Sequence, residues 1–245
     1  MTAAAALPPV IQARALGKSY GAAWAVQGVD LTLAAGEALA VFGGNGAGKS
    51  TLLRLLATLV APSQGTLRVL GQDAVAHPQR VRPLLGVVGT QSYLYADLTV
   101  AENLDLYARL YRLPVVRAQV QAALAAVRLE AVAGRRVRDC SRGMQQRLAL
   151  ARATLHQPRL LLLDEPEGGL DMEGRACLAQ LVTHERSSGQ VVVLATHDLD
   201  LGLALCGRAL ILVAGRVTVD APATAYTPAE WRARCASIRP GTPPA

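Results

Sequence analysis

The nine residues from Gly43 to Thr51, GGNGAGKST, constrain this chain more than any other segment. Gly43, Gly48, Lys49 and Ser50 have the spacing of a phosphate-binding loop. Glycine, which lacks a Cβ, lets backbone N–H groups wrap closely around a phosphate. The lysine supplies a positive charge for the β- and γ-phosphates, and the serine hydroxyl can ligate Mg²⁺. The pattern therefore predicts a site for a nucleoside triphosphate with Mg²⁺.

The segments that flank this loop have the character that such a site needs. Residues 37–42 are apolar enough to predict a buried strand, and residues 52–59 predict a helix whose N-terminus points at the phosphates. The alternative interpretation, a flexible glycine loop, requires neither element. The predicted phosphate-binding residues are Gly43, Gly44, Asn45, Gly46, Ala47, Gly48, Lys49, Ser50 and Thr51.

Composition limits the fold class and the partners. The chain has 245 residues, of which 51% are hydrophobic and only 4% aromatic, as in an Ala/Leu/Val-rich α/β protein with a sizeable core. The net charge of +7 comes almost entirely from scattered arginines, because Lys18 and Lys49 are the only lysines. A solvated surface or attraction to anionic lipid explains this charge as well as nucleic acid does, so no nucleic-acid partner is expected.

The cysteines and the N-terminus point to a reducing compartment and to no membrane span. The four cysteines lie far apart in the sequence and include no C-x-x-C pair, which predicts free thiols instead of a zinc site or a disulfide framework. Residues 1–9 lack the basic region of a secretory signal. No stretch of eighteen apolar residues is present, so the sequence predicts no transmembrane helix.

Strands and helices alternate along the chain, which predicts a largely parallel sheet covered on both faces. Residues 91–155 are instead mostly helical, and Thr99 with Glu102 predicts a capping box at the first of these helices. Strands are predicted at 10–16, 29–33, 37–42, 66–70, 86–88, 160–163, 191–195, 209–213 and 216–219. Helices are predicted at 52–59, 80–85, 99–113, 115–128, 141–155, 172–186 and 199–205, with a short one near 228–235.

A second chemical signal follows the apolar run Leu160–Leu163. This run ends in Asp164 and Glu165, which places two carboxylates at the carboxyl edge of the sheet, where ligands bind in open α/β folds. Asp164 is predicted to hold Mg²⁺, and Glu165 to polarise the attacking water. The alternative is a strand that ends in two solvated acids.

The segment Asp139–Arg152, DCSRGMQQRLALAR, resembles the signature motif of ATP-binding cassette (ABC) proteins. The resemblance covers about residues 10–220 and implies an α/β fold: a P-loop NTPase (RecA-like) core with an antiparallel β subdomain and an inserted α-helical subdomain. It implies a core at about 10–90 and 156–220, a helical subdomain at 91–155, and tails at 1–9 and 221–245. In this family the signature binds the γ-phosphate of ATP held by the opposite subunit, and Ser141 and Gly143 match the binding positions. Cys140, Arg142 and Met144 depart from the usual LSGGQ sequence.

The resemblance implies further site residues. Tyr20 matches the aromatic residue that stacks on adenine, the alternative being a core tyrosine. Gln91 matches the glutamine that senses Mg²⁺ and the attacking water. His197 matches the histidine that contacts the γ-phosphate, and Gly169–Asp171 resembles the loop that crosses the dimer interface. We expect Glu167 to be exposed and less suited than Glu165 to act as the base, and we expect the remaining histidines, His77, His156 and His184, to lie on the surface.

The resemblance implies an ATP hydrolase, with ATP and Mg²⁺ as cofactors, that energises a transporter. The implied partners are a second copy of the chain and an integral membrane permease subunit, with the cassette in the cytoplasm on the inner face of the membrane. The segment from Gly86 to Tyr111 is similar to the haem-exporter ATPases of cytochrome c maturation. Its residues 93–107 are candidates for the permease contact, and the alternative is an aromatic stripe that forms the core of the helices. Alternatives are a cassette of another exporter, for drugs or polysaccharides, a soluble ABC ATPase acting on DNA or ribosomes, and a P-loop small-molecule kinase.

Overall fold

The computed structural model describes residues 8–89 and 91–236. The strands are β1 (Ile11–Tyr20), β2 (Ala23–Leu33), β3 (Ala38–Phe42), β4 (Gln64–Val69), β5 (Gln72–Asp73), β6 (Leu85–Val88), β7 (Leu160–Asp164), β8 (Val191–Ala195), β9 (Arg208–Val213) and β10 (Arg216–Pro222). The helices are α1 (Lys49–Leu56), α2 (Pro78–Val81), α3 (Val100–Leu110), α4 (Val116–Ala126), α5 (Arg142–Thr154), α6 (Met172–Ser187), α7 (Leu199–Leu205) and α8 (Pro228–Ala236). Short 3₁₀ turns lie at Arg82–Leu84, Glu130–Val132, Val137–Asp139 and Ala223–Ala225.

A six-stranded sheet in the order β10-β9-β3-β8-β7-β6 forms the centre of the molecule. All neighbouring strands are parallel except the antiparallel pair β9–β10 at one edge. Strands β3 and β8 are buried over their whole length, and β7 up to Leu163, because other elements cover both faces of the sheet, which explains the unbroken apolar runs Leu160–Leu163 and Val191–Ala195. The sheet therefore brings the carboxyl ends of β3, β7 and β8 to one edge.

The two faces of β3 point into two different cores, because successive side chains of a strand alternate in direction. Ala38, Ala40 and Phe42 pack with the inserted helices and with α8. Leu39 and Val41 pack with α1 and with a second, antiparallel sheet in the order β2-β1-β4-β5. The strand that precedes the phosphate loop is thus held by both cores.

The inserted helices α3, α4 and α5 form the part of the molecule predicted at residues 91–155. The predicted capping box is present: the Thr99 hydroxyl accepts a bond from the Glu102 N–H, and the Glu102 carboxylate accepts one from the Thr99 N–H at 2.8 Å. The predicted helix at 80–85 is replaced by α2 and a 3₁₀ turn, because Pro83 lacks the N–H that a continuous helix requires.

The predicted short helix near residues 228–235 is present as α8, but it packs on the core and does not extend from it as a tail. Residues 221 and 222 extend β10, and α8 packs against the core through Trp231, which has no exposed surface. The Trp231 indole donates to the Ala223 carbonyl at 3.0 Å, and its ring lies 6.3 Å from that of Phe42. A single buried tryptophan in an Ala- and Pro-rich segment gives no periodic signal, so the sequence did not reveal this contact. Residues 1–7 and 237–245 of the predicted tails lie outside the described residues.

His156 is also not the surface residue that we expected. Its ring stacks on Tyr111, with 3.8 Å between the ring centroids, and its Nε2 lies 3.0 Å from the Leu85 carbonyl oxygen. Burial lowers the pKa of His156 from 6.5 to about 4. The cause lies in the tertiary structure, because the turn after α5 places His156 between Tyr111, which follows α3, and Leu85 of β6.

Candidate active site

The phosphate loop joins the end of β3 to the start of α1, and two of its glycines have conformations that other residues would not tolerate. Gly43 has φ 156°, and a Cβ placed there would lie 2.5 Å from the Leu212 carbonyl oxygen. Gly48 has φ 106°, and a Cβ there would lie 2.2 Å from the Ala25 carbonyl oxygen. The loop therefore folds tightly against β2 and β9, with its backbone N–H groups at the N-terminus of α1.

Lys49 is the charged group at the centre of the loop, and only 5% of it is exposed. Its Nζ donates to the Gly43 carbonyl at 2.7 Å and lies 3.7 Å from Oε1 of Glu165. The structure thus places the predicted phosphate-binding cation beside the predicted catalytic carboxylate.

A cavity of about 400 Å³ lies over this loop. Tyr20 is 52% exposed and lines the cavity, so it is not a core tyrosine, which was the alternative interpretation. The other lining residues are Ala25, Gly44, Asn45, Gly46, Ala47, Gly48, Lys49, Ser50, Thr51 and Glu165. An aromatic ring at one end and backbone N–H groups with a buried cation at the other match the base and the phosphates of a nucleotide.

Asp164 and Glu165 differ in environment although they are adjacent. Asp164 ends β7, and its Oδ1 is buried without a hydrogen-bond partner among the described residues. Burial raises the pKa of the Asp164 carboxyl, and a hydrogen bond from Ser50 opposes that shift. A buried carboxylate oxygen without a donor, next to a hydroxyl, suits a hard cation such as Mg²⁺. Glu165 has φ 50°, a left-handed conformation that costs of order 1 kcal/mol in a residue with a side chain.

Ser50, Gln91 and Asp164, the three predicted Mg²⁺ ligands, line a second cavity of about 350 Å³. Gln91 follows β6, the neighbour of β7 in the sheet, so the parallel topology brings it to the same edge as Asp164. Tyr93 lines this cavity too, and its ring faces the Arg152 guanidinium of α5 at 5.6 Å. The cavity therefore lies where the α/β core meets the inserted helices.

His197 follows β8 and lies next to both acidic side chains of the segment after β7. Its Nδ1 is 3.8 Å from Oε1 of Glu165 and 3.9 Å from Oε1 of Glu167. The next residue, Asp198, caps α7 by accepting a bond from the Leu201 N–H, and this bond lowers the pKa of Asp198. Glu165, His197 and Lys49 thus converge at one edge of the sheet.

Glu167 corrects our expectation of an exposed side chain, because it is only 5% exposed. Its Oε1 accepts a hydrogen bond from the hydroxyl of Thr196, a fully buried residue that the sequence analysis did not single out. The sequence feature that could have indicated this partner is a hydroxyl residue directly after the apolar strand Val191–Ala195. Burial of Glu167 depends on β8 lying beside β7, which the local sequence does not reveal.

The signature segment packs against the residues that follow Glu165. Ser141 caps α5 by accepting a hydrogen bond from the Met144 N–H at 3.2 Å. Gly143 packs so closely against Gly169 that a Cβ on Gly143 would lie 3.0 Å from the Gly169 carbonyl oxygen. Neither residue lines the cavity over the phosphate loop. Gln146, which the sequence analysis also missed, donates to the Pro166 carbonyl at 2.9 Å and so ties α5 to the segment after Glu165.

All four cysteines carry free thiols. Within residues 8–89 and 91–236, no helix combines the length and the apolar character needed to cross a bilayer.

Comparison with known proteins identifies the family. A family model described as "ABC transporter" matches residues 26–168, more than half of the chain. The chain is 37% identical over 211 residues to Nod factor export ATP-binding protein I of Rhizobium johnstonii, and the aligned region covers 85% of this chain and 68% of that protein. It is 35% identical over 196 residues to the ABC transporter ATP-binding protein NatA of Bacillus subtilis, covering 79% of this chain and 80% of that protein.

Solved structures agree with this assignment. The ATP-binding subunit of an ABC transporter superposes with a TM-score of 0.85 at 26% identity, covering 93% of this chain and 99% of that one. A dimeric ATP-binding cassette in a post-hydrolysis state, bound to ADP and Pi, superposes with a TM-score of 0.81 at 26% identity, covering 88% of this chain and 100% of that one. The relatives are named for Nod factor export and as NatA, so they support the cassette family and not haem export in particular. The chain therefore belongs to the ABC transporter family, as an ATP-binding subunit with the ABC ATPase fold and ATP hydrolase activity.

Proposed function

We propose that this chain powers export through a separate membrane permease subunit, by ATP-driven closure of two copies of itself. The observation that carries the proposal is that Lys49 and His197 each lie within 4 Å of Glu165, at the edge of a cavity that suits a nucleotide. The nucleotide-binding domain is taken as residues 10–220, with the helical subdomain at 91–155.

The chain's own residues divide the work at the phosphates. The backbone N–H groups of residues 43–51 and the Lys49 ammonium bind the β- and γ-phosphates, while Tyr20 stacks on the base. Ser50 and Asp164 would hold Mg²⁺, with Gln91 at the same cavity, and the bound ion would neutralise charge that develops on the phosphate oxygens. The unpartnered Asp164 oxygen and its desolvation support this assignment.

Glu165 is the general base of hydrolysis. Its side chain is 43% exposed, so water can reach it, whereas Asp164 is partly buried at the strand end. The carboxylate accepts a proton from water as the water oxygen bonds to the γ-phosphorus, and the bond to the ADP oxygen breaks to give ADP and phosphate. His197, 3.8 Å from Glu165, orients that carboxylate and contacts the γ-phosphate.

A second copy completes the site. Ser141 and Gly143 do not line the cavity over their own phosphate loop, which supports a γ-phosphate contact made by the signature of another molecule. Met172, beside the loop Gly169–Asp171 against which Gly143 packs, is 87% exposed and so is accessible to a second copy. Solved relatives of this fold include dimeric cassettes.

The direction of transport and the membrane partner come from the relatives. Several of them are named as ATP-binding proteins for Nod factor export, and we transfer to this chain only the export role. Tyr93 and Tyr95 are 45% and 51% exposed beside the cavity that contains Gln91, and they form the proposed permease contact on the inner face of the membrane. Haem export is the candidate substrate-specific role carried by the similarity of residues 86–111, and transport assays with haem test it.

The experiment that tests the proposal is Glu165→Gln in the full chain, which removes the base but keeps the shape of the side chain. We expect ATP binding to remain, turnover to fall at least about a hundredfold, and a dimer to accumulate with ATP and Mg²⁺ in size-exclusion chromatography with light scattering. Glu130→Gln, an exposed carboxylate on the helical subdomain, is the matched control. Turnover at the wild-type rate would exclude Glu165 as the base, and a strictly monomeric variant at saturating ATP would exclude the shared site.

A further inference from the structure

Glu167 is a buried carboxylate that the proposed hydrolysis does not use. It is 5% exposed, its Oε1 is bonded to the Thr196 hydroxyl, and its Oε2 has no hydrogen-bond partner among the described residues. A carboxylate that is buried with one oxygen unsatisfied destabilises the folded state. Packing or stability therefore gives no reason for a glutamate at this position, and its surroundings have to be considered instead.

The Thr196 hydroxyl connects Glu167 to the backbone around His197. It donates to Oε1 of Glu167 and accepts a bond from the N–H of Asp198 at 2.9 Å. Thr196 and Asp198 are the residues immediately before and after His197. The side chain of Glu167 thus fixes the main chain on both sides of the imidazole.

The same carboxylate also faces the imidazole directly. Oε1 of Glu167 lies 3.9 Å from Nδ1 of His197, and Oε1 of Glu165 lies 3.8 Å from the same atom. At this distance, beyond that of a hydrogen bond, a carboxylate acts on the ring through its charge, which favours the tautomer with the proton on the nearer nitrogen. The two acids differ in access, since the side chain of Glu165 is 43% exposed and that of Glu167 only 4%.

We propose that Glu167 is a positioning residue for His197: it holds the histidine backbone through Thr196 and selects the Nδ1–H tautomer of the ring. Burial keeps Glu167 from reaching the attacking water, so it assists Glu165 without replacing it. The inference rests on the proposed hydrolysis at Glu165, to which it adds a residue that controls the orientation of the neighbouring histidine.

Steady-state ATPase measurements on Glu167→Ala, Thr196→Val and the double variant test the connection through the hydroxyl. We expect each single variant to lower kcat about tenfold, with KM for ATP within about twofold of wild type, because a misplaced group loses activity without losing ground-state binding. The double variant should be no slower than the slower single variant, because both changes break the same connection. Glu130→Ala, which removes an exposed carboxylate, is the matched control. An unchanged kcat in Glu167→Ala, or a hundredfold loss in the double variant, would overturn the proposal.

A measurement without turnover separates this inference from the proposed function. The chain has only four histidines, so long-range ¹H–¹⁵N spectra at pH 8 resolve the tautomer of each, and His197→Asn assigns the signal of interest. Glu167→Gln keeps the size and an acceptor oxygen for Thr196 but removes the charge. We expect a smaller Nδ1–H fraction for His197, unchanged signals for His77 and His184, and a thermal midpoint no lower than that of wild type.

The two sets of results have distinct meanings. Identical His197 signals in wild type and Glu167→Gln, or a loss of thermal stability in place of a tautomer change, would show that Glu167 does not select the tautomer. If the tautomer responds but Glu165→Gln still hydrolyses ATP at the wild-type rate, the positioning of His197 stands and the assignment of the base fails.

Discussion

Glu185 makes the stability of this cassette depend on pH in a direction that can be calculated. The residue lies on α6, is 6% exposed, and its Oε2 has no hydrogen-bond partner among the described residues. Burial raises the pKa of its carboxyl from 4.5 to about 7. The protonated form is therefore favoured in the folded protein, so the folded state binds more protons than the unfolded state between pH 4.5 and about 7. Across that window the contribution of Glu185 to stability is lost as the pH rises.

The size of the effect follows from the shift. One pKa unit corresponds to about 1.4 kcal/mol, and after allowance for partial solvent screening the contribution of Glu185 changes by roughly 2 kcal/mol between pH 5 and pH 7.5. Glu185→Gln removes the titration but keeps the size of the side chain. We therefore expect its stability relative to wild type to be about 2 kcal/mol more favourable at pH 7.5 than at pH 5.

The assay is urea unfolding followed by circular dichroism at both pH values. With a slope near 3 kcal/mol per M, the urea midpoint of the variant relative to wild type should move by roughly 0.7 M between the two pH values. The variant is compared with wild type at each pH because His156 is present in both. Its pKa is lowered to about 4, so its contribution to stability rises with pH in an overlapping window. Glu130→Gln, which replaces an exposed carboxylate, is the matched control. If the relative midpoint of Glu185→Gln is the same at pH 5 and pH 7.5, burial of Glu185 does not control its titration.

Three further changes test the loop and the C-terminal helix. Gly48→Ala should lower ATP affinity more than about tenfold, measured with a fluorescent nucleotide, because its Cβ would lie 2.2 Å from the Ala25 carbonyl oxygen; unchanged affinity would contradict this. Lys49→Ala should weaken ATP binding itself more than about tenfold in the same titration, and an unchanged dissociation constant would remove Lys49 from the phosphate site. Trp231→Ala should cost about 3–5 kcal/mol of unfolding free energy in urea, because the ring is fully buried, and a loss below about 1 kcal/mol would show that α8 is not part of the core.

Predictions from the sequence succeeded where the signal lies in consecutive residues. The phosphate loop is encoded in nine adjacent positions, and its two constrained glycines are local backbone requirements. The apolar run Leu160–Leu163 gave the buried strand that ends at Asp164, since a strand buried on both faces needs an unbroken apolar sequence. The structure places Ser50, Gln91 and Asp164 at one cavity, and their role in metal binding stays a prediction.

Predictions failed where the environment of a residue depends on distant parts of the chain. Glu167 was expected to be exposed, but Thr196, 29 residues further on, meets it because β7 and β8 are neighbours. His156 was expected on the surface, but Tyr111, which directly follows α3, stacks on its ring. The segment that holds Trp231 was expected to be a tail, but its one large side chain fits beside Phe42 at the end of β3.

By itself, the sequence determined the class of fold and the kind of ligand, because glycine conformations, strand hydrophobicity and helix caps are properties of short segments. Only the tertiary structure decided which carboxylates face His197, how far each is withdrawn from water, and that Ser141 does not line the cavity over the phosphate loop of its own chain. These features depend on the order of strands in the sheet and on packing between elements far apart in the sequence. The burial of these side chains and the charges around them therefore depend on residues that no local sequence pattern connects.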